Sequence, residues 1–242
     1  MSLRTRSRTM EKAMRCILVR HAESVGNAEG RLQGHAEFDL TNVGRRQAER
    51  LFQRLQMEGL EPTHVYCSPL RRTVETARIV SRSWQAPLTL WGDLIEYNVG
   101  VFSGLRWEDI DMQYPTMAQA FRESGDWAVV EGAEDLMQRH ARGRRVVASL
   151  VEGHRSGDVI VAFSHGGILQ HIIAAFLGTD RSWGIRVRNT AVFDFTLDKN
   201  LWYEFGSVRR NTRHWRILSF NDAAHLELDY GAAEQTGSAK EA

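Results

Sequence analysis

Three short apolar runs in this sequence end in residues that could hold an anion. The three junctions read CILV-RH (16–21), HVYC-SPLRR (64–72) and DVIVAF-SHGG (158–167). Arginine guanidinium groups, imidazoles and the free amides of a helix N-terminus fit a phosphoryl group better than a lone carboxylate. If the three junctions meet in space, they indicate phosphoryl binding or transfer.

Each of these runs predicts a buried β-strand, because each is short, β-branched or aromatic, and abruptly ended. Apolar residues at helical spacing predict helices within 40–59, 69–84, 134–153 and 166–178. Thr41 is the predicted N-cap of the first helix, and Gly143 weakens the third. Alternating residues in 189–197 and 214–220 predict half-buried strands that extend the sheet at an edge.

This order of elements predicts an α/β fold, a three-layer α/β/α arrangement with a mostly parallel central sheet. Ligands of such sheets bind outside the carboxyl ends of the strands, where the three junctions would meet. A lone histidine at a strand end is, however, more often a hydrogen-bonded surface or capping residue.

A zinc site needs about three or four ligands at suitable spacing. The sequence has no HxH or HExxH pair, and His165 and His171 fall on different faces of a helix, so no metal is expected.

Composition argues against several classes of partner. The formal net charge is +1 over 242 residues, so no general basic field indicates nucleic acid or an anionic membrane. No apolar run approaches the roughly 18 residues of a membrane span. Cys16 and Cys67 lack metal-type spacing, which favours buried reduced thiols in a cytoplasmic protein, with a catalytic Cys67 as the less favoured alternative.

The chain is predicted to hold one domain, residues 15–228. Residues 1–14 are rich in Arg, Ser and Thr and are predicted to form a disordered leader, with a transit peptide left open. Residues 229–242 have the composition of a disordered tail.

Several ordered segments together resemble one known family, the histidine phosphatase superfamily (phosphoglycerate mutase-like). They are LVRHAESVGNAEGRLQGHAEFDLTNVGRRQA (18–48), CSPLRRTVETA (67–77), LIEYNVGVFSGLRWEDI (94–110), VAFSHGGIL (161–169) and SFNDAAHL (219–226). The resemblance covers nearly the whole predicted domain. Because the motifs occur in order, it is far more specific than any one of them.

The resemblance implies a catalytic set and a binding set. His21 would be the nucleophile that forms a phosphohistidine, and Arg20 and Arg72 would bind the transferring phosphoryl group. His165 would be the second histidine of the pocket, and Glu96 would be the acid. The residues implied to contact substrate or phosphate are Ser24, Asn27, Gln33, Gly34 and Gly166.

Physical chemistry supports these roles. The attacking nitrogen of His21 must be unprotonated, which is easiest if the other ring nitrogen donates to a backbone carbonyl. Arginines hold the phosphoryl group in line and offset the charge on its equatorial oxygens. The leaving alkoxide needs a proton and an attacking water must later lose one, and Glu96 can serve both steps in turn. No cofactor is implied.

Two departures from the family pattern bear on the substrate. Ala22 replaces the usual glycine after the nucleophile, and a methyl group there could narrow the approach. Residues 97–135 fill the family's lid and specificity insert, and GAED (132–135) stands there where Gly-Glu-Ser is usual. Trp91 and Trp107, close to the acid in sequence, are candidates to line the pocket.

The resemblance implies a metal-independent phosphatase that acts on a small phosphorylated metabolite. The segment GRLQGHAEFDLTNVGRRQA (30–48) is similar to the phosphatase branch of the family, and the Tyr-Gly and Asn-Lys segments of the mutase branch do not follow Glu96. Two alternatives stay open: a cofactor-dependent phosphoglycerate mutase, and a member that binds phosphorylated ligands without turnover. A homodimer also stays open, and the sequence does not name the substrate.

Overall fold

A six-stranded mixed sheet runs through the computed structural model, which describes residues 13–181, 184–203, 212 and 214–227. The strands are β1 (Met14–Arg20), β2 (His64–Cys67), β3 (Leu88–Leu90), β4 (Val159–Ser164), β5 (Val192–Leu197) and β6 (Trp215–Asp222). They lie in the order β3-β2-β4-β1-β5-β6. The two predicted later strands therefore do extend the sheet at one edge, as β5 and β6.

The strand directions bring the three junctions to one edge of the sheet. β1 runs parallel to β4, β4 parallel to β2, and β2 parallel to β3, whereas β5 is antiparallel to both β1 and β6. Arg20 lies beside Ser164, and Cys67 lies beside Phe163. The mostly parallel sheet is confirmed, and the residues after β1, β2 and β4 share its carboxyl edge.

Helices cover both faces of the sheet, which confirms the three-layer arrangement. They are α1 (Val25–Ala28), α2 (Asn42–Met57), α3 (Arg71–Val80), α4 (Trp107–Gln113), α5 (Pro115–Ser124), α6 (Leu136–Gly153) and α7 (Gly166–Phe176). Successive side chains of a strand point to opposite faces. Ile17 and Val19 accordingly pack in the cluster of α2 and α3, and Cys16 and Leu18 pack in that of α6 and α7.

Two helices show how local sequence sets these elements. Thr41 caps α2 as predicted, since its Oγ1 accepts a hydrogen bond from the amide of Gly44 at 2.9 Å. Helix α6 continues through Gly143, so the expected weakening does not interrupt it. A Cβ at Gly143 would lie 2.5 Å from the carbonyl oxygen of His171. The glycine therefore allows α6 to pack closely on α7.

The insert 97–135 forms a small cluster of its own. Its buried centre is Phe102, whose ring contacts those of Trp107, Tyr114, Phe121 and Trp127. A β-bridge between Val99 and Ala133 joins the two ends of the insert. Glu134, in the GAED departure, forms an ion pair with Arg142 of α6 and ties the insert to the main body.

The structure moves one predicted boundary and adds one strand. β1 begins at Met14, which is fully buried, so this last residue of the predicted leader belongs to the sheet. Strand β3 was not predicted, because it has three residues, two of them exposed, and no periodic pattern. Residues 1–12 and the predicted tail lie outside the described residues. Within the described part, no helix is long and apolar enough to cross a membrane.

Candidate active site

His21 follows β1 directly and is 2% exposed. Its backbone amide donates to the carbonyl oxygen of Ser164 at 2.9 Å, which fixes the residue to the end of β4. Its Nδ1 lies 2.7 Å from the carbonyl oxygen of Ala22. A carbonyl oxygen only accepts, so Nδ1 carries the proton and Nε2 keeps a free lone pair. Burial, followed by the charges of Arg20 and Arg72, holds the pKa of His21 well below its ordinary value, which keeps the ring neutral.

Arg72, in the first turn of α3, is 1% exposed and fixed through all three nitrogens. Nη1 donates to the carbonyl oxygen of Ala36 at 2.8 Å, and Nη2 donates to that of Gly34 at 2.9 Å. Nε donates to Nδ1 of His165 at 3.2 Å. Burial lowers the pKa of Arg72 to about 10, so the guanidinium stays charged at neutral pH. About two of its five N–H groups are left for a ligand.

His165 is fully buried, with its ring centroid 5.1 Å from that of His21. Since Arg72 donates to Nδ1, the proton of His165 is on Nε2. Nε2 donates to Oγ of Ser68 at 2.7 Å and lies 3.1 Å from Oγ1 of Thr73. Burial and then the charge of Arg72 hold the pKa of His165 well below its ordinary value. His165 is therefore a neutral acceptor that positions Arg72.

Glu96 places its carboxylate at the first turn of α7. Oε2 accepts from the amide of Gly167 at 3.0 Å, and Oε1 accepts from the amides of Ile168 at 2.8 Å and Tyr97 at 3.0 Å. Nε2 of the exposed His35 donates to the carbonyl oxygen of Glu96 at 2.8 Å. A carboxylate has about four acceptor positions. Three are used, which leaves one for a substrate oxygen or a water.

Arg20, the last residue of β1, is wedged between two backbone segments. Its Nη1 donates to the carbonyl oxygen of Val187 at 2.5 Å. A Cβ at Gly166 would lie 3.2 Å from Arg20 Nε, so this glycine leaves room for the guanidinium. Nε is buried and has no hydrogen-bond partner among the described residues. An arginine held in this way is available to an anion.

Four of these side chains border a cavity of about 130 Å³, whereas His165, predicted to be the second histidine of the pocket, is not among its lining residues. The residues predicted from sequence that line it are Arg20, His21, Gln33, Gly34, Arg72 and Glu96. This volume accommodates a phosphoryl group. We call it the phosphoryl cavity. Arginine charge, an imidazole lone pair and a carboxylate thus meet in one small enclosure.

Ser24, Asn27 and Gly34 brace the wall of the phosphoryl cavity. Ser24 is fully buried, and its Oγ lies 3.0 Å from Oδ1 of Asn27 and 2.8 Å from Oε1 of Gln33. Asn27 Oδ1 also accepts from the amide of Ser24 at 3.1 Å, so its amide nitrogen is the end left free to donate. Gly34 has a φ of +46°, and a Cβ there would lie 2.6 Å from Cγ2 of Val99. Only glycine fits that position.

The rest of the cavity wall differs from the sequence prediction. Trp91 and Trp107 do not line it: the first packs against Tyr66, and the second packs within the insert. That prediction was wrong, because proximity in sequence to Glu96 does not place a ring in the cavity. The unpredicted lining residues are Arg31, Leu32, Tyr97 and Val99.

Sequence reasoning also missed Asn189 and Thr190, just before β5. Asn189 Nδ2 donates to the carbonyl oxygen of His21 at 3.0 Å and reaches Oδ1 of Asn27 at 3.3 Å. Thr190 has a φ of +55°, an uncommon backbone conformation for a β-branched residue, and its amide donates to the same carbonyl at 3.3 Å. The pair holds the main chain of His21 in place. In the sequence these residues read only as the start of a strand, with no signal of this contact.

Ala22 is accommodated without strain. It is fully buried in the cluster of α2 and α3, and its amide donates to Oγ1 of Thr76 at 3.0 Å. Among the described residues other than glycine, positive φ is found at Thr190 and Asn221 and not at Ala22. The methyl group points into the core and does not line the phosphoryl cavity.

The buried cysteines do not supply a rival nucleophile. Cys16 and Cys67 are free thiols, and burial raises the pKa of both. A thiol needs to be a thiolate to attack, so a catalytic Cys67 is disfavoured. In the part of the chain that the structure describes, no three His, Cys, Asp or Glu side chains are grouped to hold a metal ion.

Comparison with known proteins agrees with this geometry. The model of the histidine phosphatase superfamily (branch 1) matches residues 16–204. The chain belongs to the histidine phosphatase superfamily. The resemblance seen in the sequence motifs is thereby confirmed.

Two curated relatives and one solved structure show where the chain lies in the superfamily. A metal-independent phosphoserine phosphatase of Arabidopsis thaliana is 31% identical over 212 residues, 87% of this chain and 82% of the relative. Phosphoserine phosphatase 1 of Hydrogenobacter thermophilus is 30% identical over 224 residues, 92% of this chain and 99% of the relative. The structure of a putative α-ribazole-5'-P phosphatase of Escherichia coli matches with a TM-score of 0.74 and 26% identity, covering 87% of this chain and 97% of that one.

These histidine phosphatase relatives are all named as phosphoric monoester hydrolases. Together with the superfamily match, they support a phosphomonoester hydrolase of the histidine phosphatase type, as the sequence predicted.

Proposed function

We propose that this phosphatase hydrolyses a small phosphorylated metabolite through a phosphohistidine on Nε2 of His21, without a metal ion. The observation that carries the proposal is the state of His21. Its Nδ1 proton is committed to the carbonyl oxygen of Ala22, its ring is held neutral, and it borders a cavity that also contains Arg20 and Arg72. These conditions make Nε2 a nucleophile aimed at a bound phosphoryl group.

Arg20 and Arg72 bind the phosphoryl group in this proposal. Arg72 is pre-oriented by Gly34, Ala36 and His165, so little reorganisation accompanies binding. Preorganised cationic donors stabilise the charge that spreads over the equatorial oxygens of the transition state. The free amide nitrogen of Asn27 adds a neutral donor at the wall.

The first chemical step transfers the phosphoryl group to His21. Nε2 bonds to phosphorus as the bond from phosphorus to the ester oxygen breaks. Glu96 gives a proton, carried at its fourth carboxyl position, to the departing oxygen. The product alcohol then leaves, with the phosphoryl group on Nε2 and the Nδ1 proton still bonded to Ala22.

The second step returns the enzyme to its starting state. Glu96, now ionised, accepts a proton from a water as that water bonds to phosphorus. The bond from phosphorus to Nε2 breaks, and inorganic phosphate leaves. Three backbone amides hold the Glu96 carboxylate in one place, so the same group can serve both steps.

The proposed role is tested with p-nitrophenyl phosphate in the presence of EDTA. We expect hydrolysis that EDTA does not change and that falls by roughly 10⁴-fold in His21→Ala. Acid quenching during turnover should trap a labelled phosphohistidine in the native protein only. Absence of hydrolysis between about pH 5 and pH 8 would overturn the proposal and favour a non-catalytic binding protein.

The pH profile gives a second measure on the native protein. Because the pKa of His21 lies well below its ordinary value, kcat/KM should not fall through protonation of an imidazole as the pH drops through about 6.5. If kcat/KM instead falls tenfold for each pH unit below about 6.5, His21 is not held neutral.

The proposal extends to the natural substrate and to the cellular compartment. The two curated relatives are named for phosphoserine, which makes O-phosphoserine the first natural substrate to assay. A mutase would instead form 2-phosphoglycerate from 3-phosphoglycerate with a bisphosphoglycerate primer, and release of inorganic phosphate alone contradicts it. Two free buried thiols favour the reducing cytoplasm as the compartment.

A further inference from the structure

A second cavity adjoins the phosphoryl cavity and shares Arg20 with it. It measures about 510 Å³, and its lining includes Arg20, Arg186, Arg188, Asn189 and Asn221. We call it the arginine cavity. The phosphoryl cavity measures about 130 Å³ and is open, so we expect part of a larger metabolite to lie beyond it.

The loop that carries the two extra arginines is held in place by its backbone. Asn221, at a φ of +53°, accepts from the amide of Arg188 at 3.1 Å and donates to the carbonyl oxygen of Arg186 at 3.0 Å. Val187, between them, is 5% exposed, and its carbonyl oxygen accepts from Arg20. Arg186 and Arg188 therefore stand on either side of an anchored residue with exposed side chains.

Positive charge in the arginine cavity is poorly balanced. None of its described lining residues is acidic. The side chain of Arg186 has no ion pair or hydrogen bond within the described residues, and its charge adds to burial in lowering the pKa of Arg20. Arg188 reaches Glu227 at 2.8 Å, where both side chains are largely exposed and the attraction is weak. Like charges held together in this way favour binding of an anion.

The sheet topology places both cavities along one edge. β5 is antiparallel to β1, so the start of β5 lies beside Arg20 at the end of β1. β6 is antiparallel to β5, which brings Asn221 to the same edge. The two cavities therefore meet at Arg20 on the same edge of the sheet.

We propose that the arginine cavity binds a second oxyanion of the substrate, a carboxylate or a second phosphate on the leaving group. Arg186 and Arg188 hold that group, and Arg20 contacts both anions. The inference rests on the proposed phosphatase function and names its substrate class: phosphomonoesters with a second negative group a few bonds from the phosphorus. Guanidinium forks match carboxylate and phosphate oxygens in geometry and charge.

The test uses substrate pairs that differ only in the second anion. 3-Phosphoglycerate and glycerol 3-phosphate differ by a carboxylate, and fructose 1,6-bisphosphate and fructose 6-phosphate differ by a phosphate. In each pair, the doubly anionic member is the substrate that carries the second carboxylate or phosphate. We expect the native protein to prefer that member in at least one pair. Which pair shows the preference tells whether the arginine cavity binds a carboxylate or a phosphate. Arg186→Gln and Arg188→Gln should each reduce that preference about tenfold, because KM rises for the doubly anionic substrate. The kcat/KM of the singly anionic substrate should stay within about twofold of the native value.

Arg78→Gln is the matched control, since Arg78 is an exposed arginine on α3 outside both cavities. It removes the same charge and should leave both members of each pair unchanged. The inference is overturned if the native protein prefers neither doubly anionic substrate, or if the two loop variants reduce both members of a pair equally. Hydrolysis of p-nitrophenyl phosphate by the same preparations separates the outcomes, because its loss in the native protein would overturn the phosphatase function itself.

Discussion

The strand-end site and the insert 97–135 are built in opposite ways. His21, Arg72 and His165 are at most 2% exposed and come from segments far apart in the chain. The insert is one continuous segment around Phe102, and it exposes large apolar side chains such as Met112, which is 78% exposed. The site depends on the whole sheet, whereas the insert depends mainly on its own aromatic contacts.

This difference separates the residues of the strand-end site from those of the insert. The site residues are held by strand ends and by the first turns of α3 and α7, which cannot move without disturbing the core. The insert reaches the phosphoryl cavity only through Tyr97 and Val99, at its first turn. We therefore expect substitutions deep inside the insert to leave the residues of the strand-end site in place.

We expect the largest difference in activity between variants of the two adjacent arginines of α3, Arg71 and Arg72. Arg72→Ala removes the buried guanidinium from the phosphoryl cavity, and kcat/KM for p-nitrophenyl phosphate should fall roughly 10³-fold. Arg71 is the matched control, because its side chain is 69% exposed and lies 3.9 Å from Asp39 at the surface. Arg71→Ala should stay close to the native rate. Equal losses in the two variants would contradict the assignment of Arg72 as the phosphoryl ligand.

Substitution of Gly167, whose lack of a side chain leaves room for Glu96, should have the next largest effect on activity. A Cβ at Gly167 would lie 2.0 Å from the Tyr97 ring and 2.7 Å from a Glu96 oxygen. Gly167→Ala should therefore displace the carboxylate and reduce kcat about 10²-fold. Gly153→Ala, at the end of α6, meets nothing within 4 Å and serves as the control. If kcat of the Gly167 variant is unchanged, the position of Glu96 does not limit the reaction.

The smallest effect tests the independence of the insert. Phe102→Leu should lower the free energy of unfolding in urea by about 1–3 kcal/mol, with kcat/KM for p-nitrophenyl phosphate within about threefold of native. The exposed Met112→Leu should change stability by less than about 0.5 kcal/mol. Loss of phosphatase activity on the scale of the Arg72 variant would show that the insert and the strand-end site form one unit.

Sequence patterns predicted the parts of the fold that are regular and buried. CILV, HVYC and DVIVAF became β1, β2 and β4, and the predicted helices became α2, α3, α6 and α7. β3 was not predicted, because a short, half-exposed edge strand has no periodic pattern of apolar residues. The close packing of α6 on α7 at Gly143 is a contact between helices, which no local propensity predicts.

The candidate site was predictable to the extent that its residues lie at strand ends or in motifs. The clamp on the His21 carbonyl by Asn189 was not predictable, because it joins residues 168 positions apart through a single hydrogen bond. The wall at Tyr97 and Val99, and the failure of Trp91 and Trp107 to line it, depend on how the insert folds back. A single sequence carries no pattern for that.

The central place of β1 has a consequence for how the protein is made. β1 is the first strand in the part of the chain that the structure describes, yet its two neighbours are β4 and β5, contributed by residues 159–164 and 192–197. During synthesis the apolar CILV run must wait, unpaired, until most of the chain has emerged, which is the period of greatest exposure to aggregation. Pairings of such long sequence separation also make folding slow. Because His21 is fixed by Ser164 at the end of β4 and by Asn189 just before β5, we expect enzymatic activity only after both of these segments have joined the sheet.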